Sequence, residues 1–402
     1  NMKKTLLIIL SFAFLSCSST KEVHYTSEYI EKYKGEYAVE IPEFYELVNV
    51  LVAISDVGQI DSNMINMNTT YHKRVLEHFT EFKDHKVLRR INRKIKKPEH
   101  FFSYVHYLLY RMNAMAYVIN DINKIERNNN IATQNIVIFR NPIRKQKKQI
   151  DNFIEKSKFR DFYASNTPYY DSLILYYKQT VPIDKMTIWL SNKFPNIDYS
   201  SYKVIISPLV EGSHYTRRFT DGSFSQAIMS VNHIVQNPNI KHSMNEIINS
   251  RIVFTEIDHN FVNPTTDLFS KEVNEVFSNV DFWVEKSRNS DFYGTPHKIF
   301  NEYLTWALFS LYCLDNFDIN DVDIYMPMIE NQMVFGRNFI KFKEFNQLLI
   351  KIYKENRNLS IPELYPLIIK KSRDLNNCTQ HAVYFKPHFS GDLVTISSNF
   401  TS

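Results

Sequence analysis

RIVFTEIDHNFVNP, residues 251–264, overlaps a longer segment patterned as one helix, HSMNEIINSRIVFTEIDHNFV. Ile248, Ile252, Thr255 and His259 recur at spacings of 4, 3 and 4, which stacks them on one helix face. Phe254, Ile257 and Phe261 cover another face. A helix apolar over so much of its circumference is expected to be buried. Glu256 and His259 then stand where ionisable groups are costly unless matched to a partner. The segment departs by one residue from the pattern H-E-x-x-H, because Thr255 stands where the first histidine would be.

That pattern has a physical logic. Histidines at i and i+4 of a helix project from one face and reach a single Zn2+, and the glutamate at i+1 holds the attacking water. A third ligand comes from elsewhere, and a later-helix glutamate is one solution. Glu302 is the sole acid between Asp291 and Asp315, embedded in the apolar run IFNEYLTWALFSLY, 43 residues beyond His259. An isolated carboxylate on such a helix wants a cation, a metal or a strong donor. The plain alternative is a helix-surface pair of Glu256 with His259, and a Glu302 that caps or meets an arginine.

The surroundings extend the pattern. VEIPEFYELVNVLVAISD, FRDFYASNTPYYDSLILYY, IISPLVEGSHYTRRF, TEIDHNFVNP and FNEYLTWAL occur in this order over most of residues 39–310. In these the chain resembles a family of exported bacterial lipoproteins and related proteins catalogued as a domain of unknown function, whose members carry the zincin-like signature H-E-x-x-H-x-F-x-N-P. The resemblance implies that Glu256 is the general base, His259 the second metal ligand and Glu302 the third. It also implies that SPLVEGSHY runs as a strand beside the cleft, and that Asn263 and Pro264 form a helix-ending turn. Thr255 departs from it: a neutral hydroxyl is a poor zinc ligand, since such sites are built from His, Cys and carboxylates. The expected cofactor is therefore none, or a weakly held zinc. Three readings stay open: a degenerate pseudopeptidase, an active metal-dependent peptidase in which His214 or His297 replaces the missing ligand, and a scaffold protein. Tyr215 and Tyr293 are candidate oxyanion donors only for the active reading. No nucleophile motif such as G-x-S-x-G is present.

The N-terminus reads as an export signal. Lys3 and Lys4 precede an apolar run at residues 6–15, too short to span a bilayer, which needs about 20 apolar residues. Leu15-Ser16-Cys17 resembles a lipobox, which makes Cys17 the expected lipidation site and the bacterial cell envelope the expected address. Only 7 glycines in 402 residues, and no G-x-G-x-x-G or P-loop, argue against nucleotide-binding loops. The net charge is +5, but KVLRRINRKIKK (residues 86–97) and RKQKK (144–148) concentrate positive charge. Without interleaved aromatics they do not read as a nucleic-acid site; a solvated basic face or contact with lipid headgroups fits them better. The expected partners are the membrane, through the lipid anchor, and a peptide or envelope protein.

The expected fold is α+β and predominantly helical. Its parts are a signal at 2–16, a lipidated tether at 17–40, a helical lobe at 41–180 and a zincin-like lobe with a small sheet at 181–402. Within these, NIVIFR reads as a short strand or a buried helical turn, AVYFKPHFSGDLVTISSNF alternates like strand, and Pro168 marks the start of a helix entered through Asn166 or Thr167. Cys313 and Cys378 would be free to pair in an exported protein.

Overall fold

The computed structural model describes residues 21–96, 101–128, 141–234, 237–286 and 293–378. The candidate signal, Cys17, NIVIFR and the final strand-patterned segment lie outside these residues. The chain is α+β and predominantly helical. It divides into two compact units, one formed by Asn1–Val181 with Tyr199–Ile234, the other by Pro182–Asp198 with Val235–Ser402.

The first unit is built on a five-stranded mixed sheet of order β1-β6-β7-β5-β2. Its strands are β1 (Lys21–Glu22), β2 (Tyr37–Glu40), β5 (Ser201–Ser207), β6 (Tyr215–Asp221) and β7 (Phe224–Asn232). All seven residues of β5 are buried, as its apolar SYKVIIS reads for a strand with parallel neighbours on both sides. Only β6 and β7 pair antiparallel, through a two-residue turn in which Gly222 takes a φ of +55°. Residues 21–40 differ from the expected tether: Tyr37–Glu40 runs parallel to Tyr202–Ile205, and α1 (Ser27–Tyr33) lies between the two edge strands in sequence. Lys203, buried in β5, fastens that helix, with its ammonium 3.9 Å from the Tyr33 ring centroid and 3.3 Å from Glu40.

The helices of this unit are α2 (Glu43–Ala53), α3 (Thr70–Phe79), α4 (Lys86–Lys94), α5 (Phe101–Ala114), α6 (Lys147–Lys156) and α7 (Phe159–Thr180), with a small hairpin of β3 (Tyr117–Ile119) and β4 (Ile125–Arg127). Pro168 lies inside α7, not at its start. The helix already runs from Phe159, and buried Phe159, Phe162, Tyr170 and Tyr177 hold it through the missing backbone donor. Arg111 of α5 is fully buried and makes no ion pair with a described carboxylate. Its guanidinium donates to Tyr45 Oη at 2.7 Å, Ser230 Oγ at 3.1 Å and the Ser213 carbonyl at 2.8 Å, among the rings of Tyr45, Tyr107 and Tyr215. These bonds fix the loop that carries His214 and in which Ser213 takes a φ of +64°.

The second unit comprises α8 (Ile183–Lys193), α9 (His242–Leu268), α10 (Ser270–Val276), α11 (Val280–Trp283), α12 (Pro296–Asn316), α13 (Ile319–Asn331), α14 (Phe342–Glu355) and α15 (Ile361–Cys378). At its centre is α12, buried continuously from Ile299 to Cys313 and packed on α9, α10 and α14. It starts as the sequence suggests, with Thr295 at the N-cap position and Pro296 in the first turn, though the Thr295 side chain makes no capping bond. Lys241 and Ser243 at the head of α9 both bind Asp321 of α13, at 2.8 and 2.7 Å. Cys313 is a buried free thiol.

Asn263 and Pro264 do not end α9, which continues to Leu268. Around the proline, Thr265 Oγ1 donates to the Phe261 carbonyl at 2.8 Å, and Tyr365 Oη of α15 to the Val262 carbonyl at 3.3 Å.

Glu46 of α2 offers a test of the first unit's core. Burial pushes its carboxyl up to about 7 from 4.5, with hydrogen bonds from Ser207 and Tyr71 pulling part of the way back. Between those two values the folded chain holds a proton that the unfolded chain has lost. Stability therefore falls as pH rises through the window, and the cost is complete above about pH 7. Glu46→Gln keeps the acceptor for Tyr71. It is expected to raise stability at about pH 8 by about 1–3 kcal/mol and to change little near pH 4. Denaturation followed by near-ultraviolet tyrosine circular dichroism checks this, and an equal effect at both pH values would contradict it.

Candidate functional site

The site is built where α9 faces α12. Along α9, Ile252, Glu256, His259 and Asn263 form a partly exposed stripe, while Val253, Phe254, Ile257, Phe261 and Val262 are buried. Phe254 packs on Phe309 and Tyr312 with ring centroids 5.1 Å apart in each case, which fixes how the two helices lie together. Helical spacing then presents Asn301, Glu302, Thr305 and Trp306 of α12 to that stripe.

His259 and Glu302 meet: Nε2 is 3.7 Å from Oε2. The imidazole is oriented from behind, with Nδ1 3.3 Å from Asn263 Oδ1 and 3.4 Å from Thr305 Oγ1. Asn263 Oδ1 also accepts from Asn301 Nδ2 at 2.9 Å. These contacts at Nδ1 hold the ring with Nε2 turned toward Glu302, the arrangement by which outer partners orient a histidine. Asn263 thus positions His259 and does not end its helix.

The strongest partner of Glu302 is an arginine, as the plain alternative allows, but which one the sequence does not tell. Arg337, carried just beyond a π-helical turn at Gln332–Gly336, places Nη2 2.6 Å from Glu302 Oε1. The same nitrogen donates to Tyr293 Oη at 2.6 Å. Trp306 Nε1 donates to Glu302 Oε1 at 3.0 Å, and its ring centroid lies 4.7 Å from the Arg337 guanidinium and 5.1 Å from that of Arg251. Burial acts to lower the Arg337 pKa, but Tyr293, Glu302 and Glu256 together outweigh it and hold the group above its ordinary value. Glu256 is near enough to act on both Arg337 and Asp258. Asp258, fully buried on the opposite side of the turn, is pushed well above the carboxylate range by desolvation and by Glu256. An acid set among Phe254, Ile257 and Phe261 was the sequence signal for it. Arg337 had none, since it stands in a segment without periodicity.

The residues do not fit a zinc ion. Thr255 is buried and its hydroxyl donates to the Ile252 carbonyl of its own helix at 2.8 Å. Two protein donors remain, and one of them already binds a guanidinium, whose charge repels a second cation. Among the described residues no three His, Cys, Asp or Glu side chains are grouped to hold a metal. His297 is engaged elsewhere, with Nε2 2.9 Å from Asp267 and Nδ1 3.3 Å from Asn301 Nδ2. His214, Tyr215 and the SPLVEGSHY segment belong to the other compact unit. What the arrangement can do chemically is hold a polar ligand by the His259 imidazole and the flank of a guanidinium stacked on Trp306.

Glu302 is 7% exposed and Arg337 a quarter exposed, so the pair is only partly screened. Arg337→Met strands the carboxylate and is expected to cost about 2 kcal/mol, below the range for sealed pairs; adding Glu302→Gln should recover most of it. All three tryptophans lie in the second unit, so tryptophan fluorescence during urea unfolding reads this unit directly. Equal losses in the single and double variants would show that the pair does not hold the site together.

No curated protein and no solved structure matches the chain. The model of the family described as a domain of unknown function (DUF4932) matches residues 37–371, most of the chain's length, and the chain belongs to that family.

Proposed function

We propose that this protein is a lipid-anchored envelope protein whose second unit is a degenerate zincin-like domain, a pseudopeptidase that binds a peptide or envelope component without a catalytic metal. The observation that carries the reading is the 2.6 Å pair of Arg337 with Glu302, beside His259 and next to the turn where Thr255 replaces a ligand. A later-helix glutamate and an i+4 histidine brought within 3.7 Å are what a zinc site of this type would need. An arginine on the glutamate supplies the positive charge that the metal would have supplied. The lipid anchor rests on the Leu15-Ser16-Cys17 motif.

Metal analysis and proteolysis test it together. After dialysis against zinc, the wild-type chain is expected to retain well under one equivalent and to leave an unstructured protein substrate uncut. Thr255→His combined with Arg337→Ala is expected to gain chelator-sensitive zinc, because it restores a third donor and removes the competing cation. Stoichiometric zinc with chelator-sensitive proteolysis in the wild type would overturn the reading.

A further inference from the structure

The two basic runs of the sequence, some fifty residues apart, are brought together on one face of the first unit. Helix α4 turns Val87, Leu88 and Ile91 inward, followed by Ile95, and leaves Lys86, Arg89, Arg93 and Lys94 exposed. At the head of α6, Ile150, Phe153 and Ile154 are buried while Arg144, Lys145 and Lys148 are exposed. The two elements pack directly. Arg90 Nη1 donates to the Lys145 carbonyl at 3.2 Å, and His85 Nε2 lies 3.0 Å from Asn152 Oδ1. Phe82 packs edge-on against Phe153, with centroids 5.8 Å apart.

Acids stand beside this face: Asp84 precedes α4, and the Asp56 backbone N–H donates to Asn92 Oδ1 at 3.1 Å. Neighbouring ion pairs are Lys147 with Asp151 and Lys124 with Glu155. None of the seven exposed cations named above pairs with a described carboxylate. A continuous patch of this density on helices otherwise anchored by an apolar core costs self-repulsion, and an anionic surface relieves it.

We propose that this face docks on a membrane surface bearing anionic lipid headgroups. The geometry favours a membrane over nucleic acid for two reasons. Among the described residues, the exposed cations line two packed helices with no projecting element to enter a groove, and Phe82 is turned onto Phe153 and not outward for base stacking. Cations near such a surface each contribute on the order of 1 kcal/mol, about fivefold in affinity, and the attraction decays within a Debye length. The patch supplies this attraction whether or not Cys17 is acylated.

The experiment measures the full chain on vesicles of phosphatidylcholine alone and of phosphatidylcholine with about one third phosphatidylglycerol. The neutral vesicles absorb any contribution of the apolar N-terminus, so the ratio of the two affinities is the readout. Wild type is expected to prefer the anionic vesicles by at least about tenfold at low salt, and high salt should erase the preference. Arg89→Glu, Arg93→Glu, Lys145→Glu and Lys148→Glu together should bring the ratio near unity. A control with the same kind of charge change at exposed positions elsewhere in the unit, Lys73→Glu with Lys178→Glu, should keep it. The wild-type salt dependence carries the test even if the fourfold variant folds poorly. A wild-type ratio near unity, a ratio untouched by the fourfold variant, or tighter binding to a short DNA duplex than to anionic vesicles would each overturn the proposal.

Discussion

A carboxylate inside an apolar helix has to be answered by something, and in the second unit that demand falls on Glu302. Every residue of α12 from Ile299 to Cys313 is buried, so water serves the charge poorly. The chain answers with a guanidinium and an indole N–H on one oxygen and an imidazole near the other. The rest of the site follows from this choice. Arg337 must arrive from outside the helix pair, and a π-turn followed by Asn338 at a φ of +64° brings its segment in. Trp306, one turn after Glu302, both donates to the carboxylate and gives the guanidinium a ring to stack on.

The two units solve the burial of an arginine differently. Arg111 has phenolic hydroxyls, a serine and carbonyls but no described acid, so its charge is spread over dipoles and three tyrosine rings. Such an arrangement is satisfied by geometry alone and has little reason to accept a ligand. Arg337 is bound mainly by one carboxylate and one phenol and is a quarter exposed. It keeps donor capacity at the surface, and an arginine's fork can engage a second acceptor without leaving the first. Of the two buried arginines, Arg337 is therefore the one with donor capacity left for a further acceptor.

Elements with strong apolar periodicity were legible: α9, α12, α14 and the central strand β5 are where their patterns put them. So was the meeting of His259 with Glu302, because an isolated acid and a histidine on two buried helices both need polar partners. The misreadings share a cause. Proline is a local signal for a helix boundary, yet tertiary packing carries α7 through Pro168 and α9 through Pro264. Residues 21–40 looked polar, but edge strands are held by backbone pairing, which leaves little trace in composition. Asn263 looked like a turn residue and proved to orient His259. Arg337 could not be found, since it reaches the site from an irregular segment whose position only the folded chain defines.

Arg337 also changes what a threonine at position 255 means for metal binding. Were Thr255 the sole defect, the site would be a zinc site with an open corner, and two donors would still draw a divalent ion weakly. With a guanidinium 2.6 Å from Glu302, an arriving ion would meet a cation already seated on one of its two donors. The threonine meanwhile spends its hydroxyl on its own helix. The two features reinforce each other: without a third donor the ion cannot compete for Glu302, and with Glu302 engaged a new donor at 255 would face positive charge. An imidazole at 255 therefore addresses half of the difference, and metal affinity in this scaffold is set by the donor at 255 and the cation at 337 acting together.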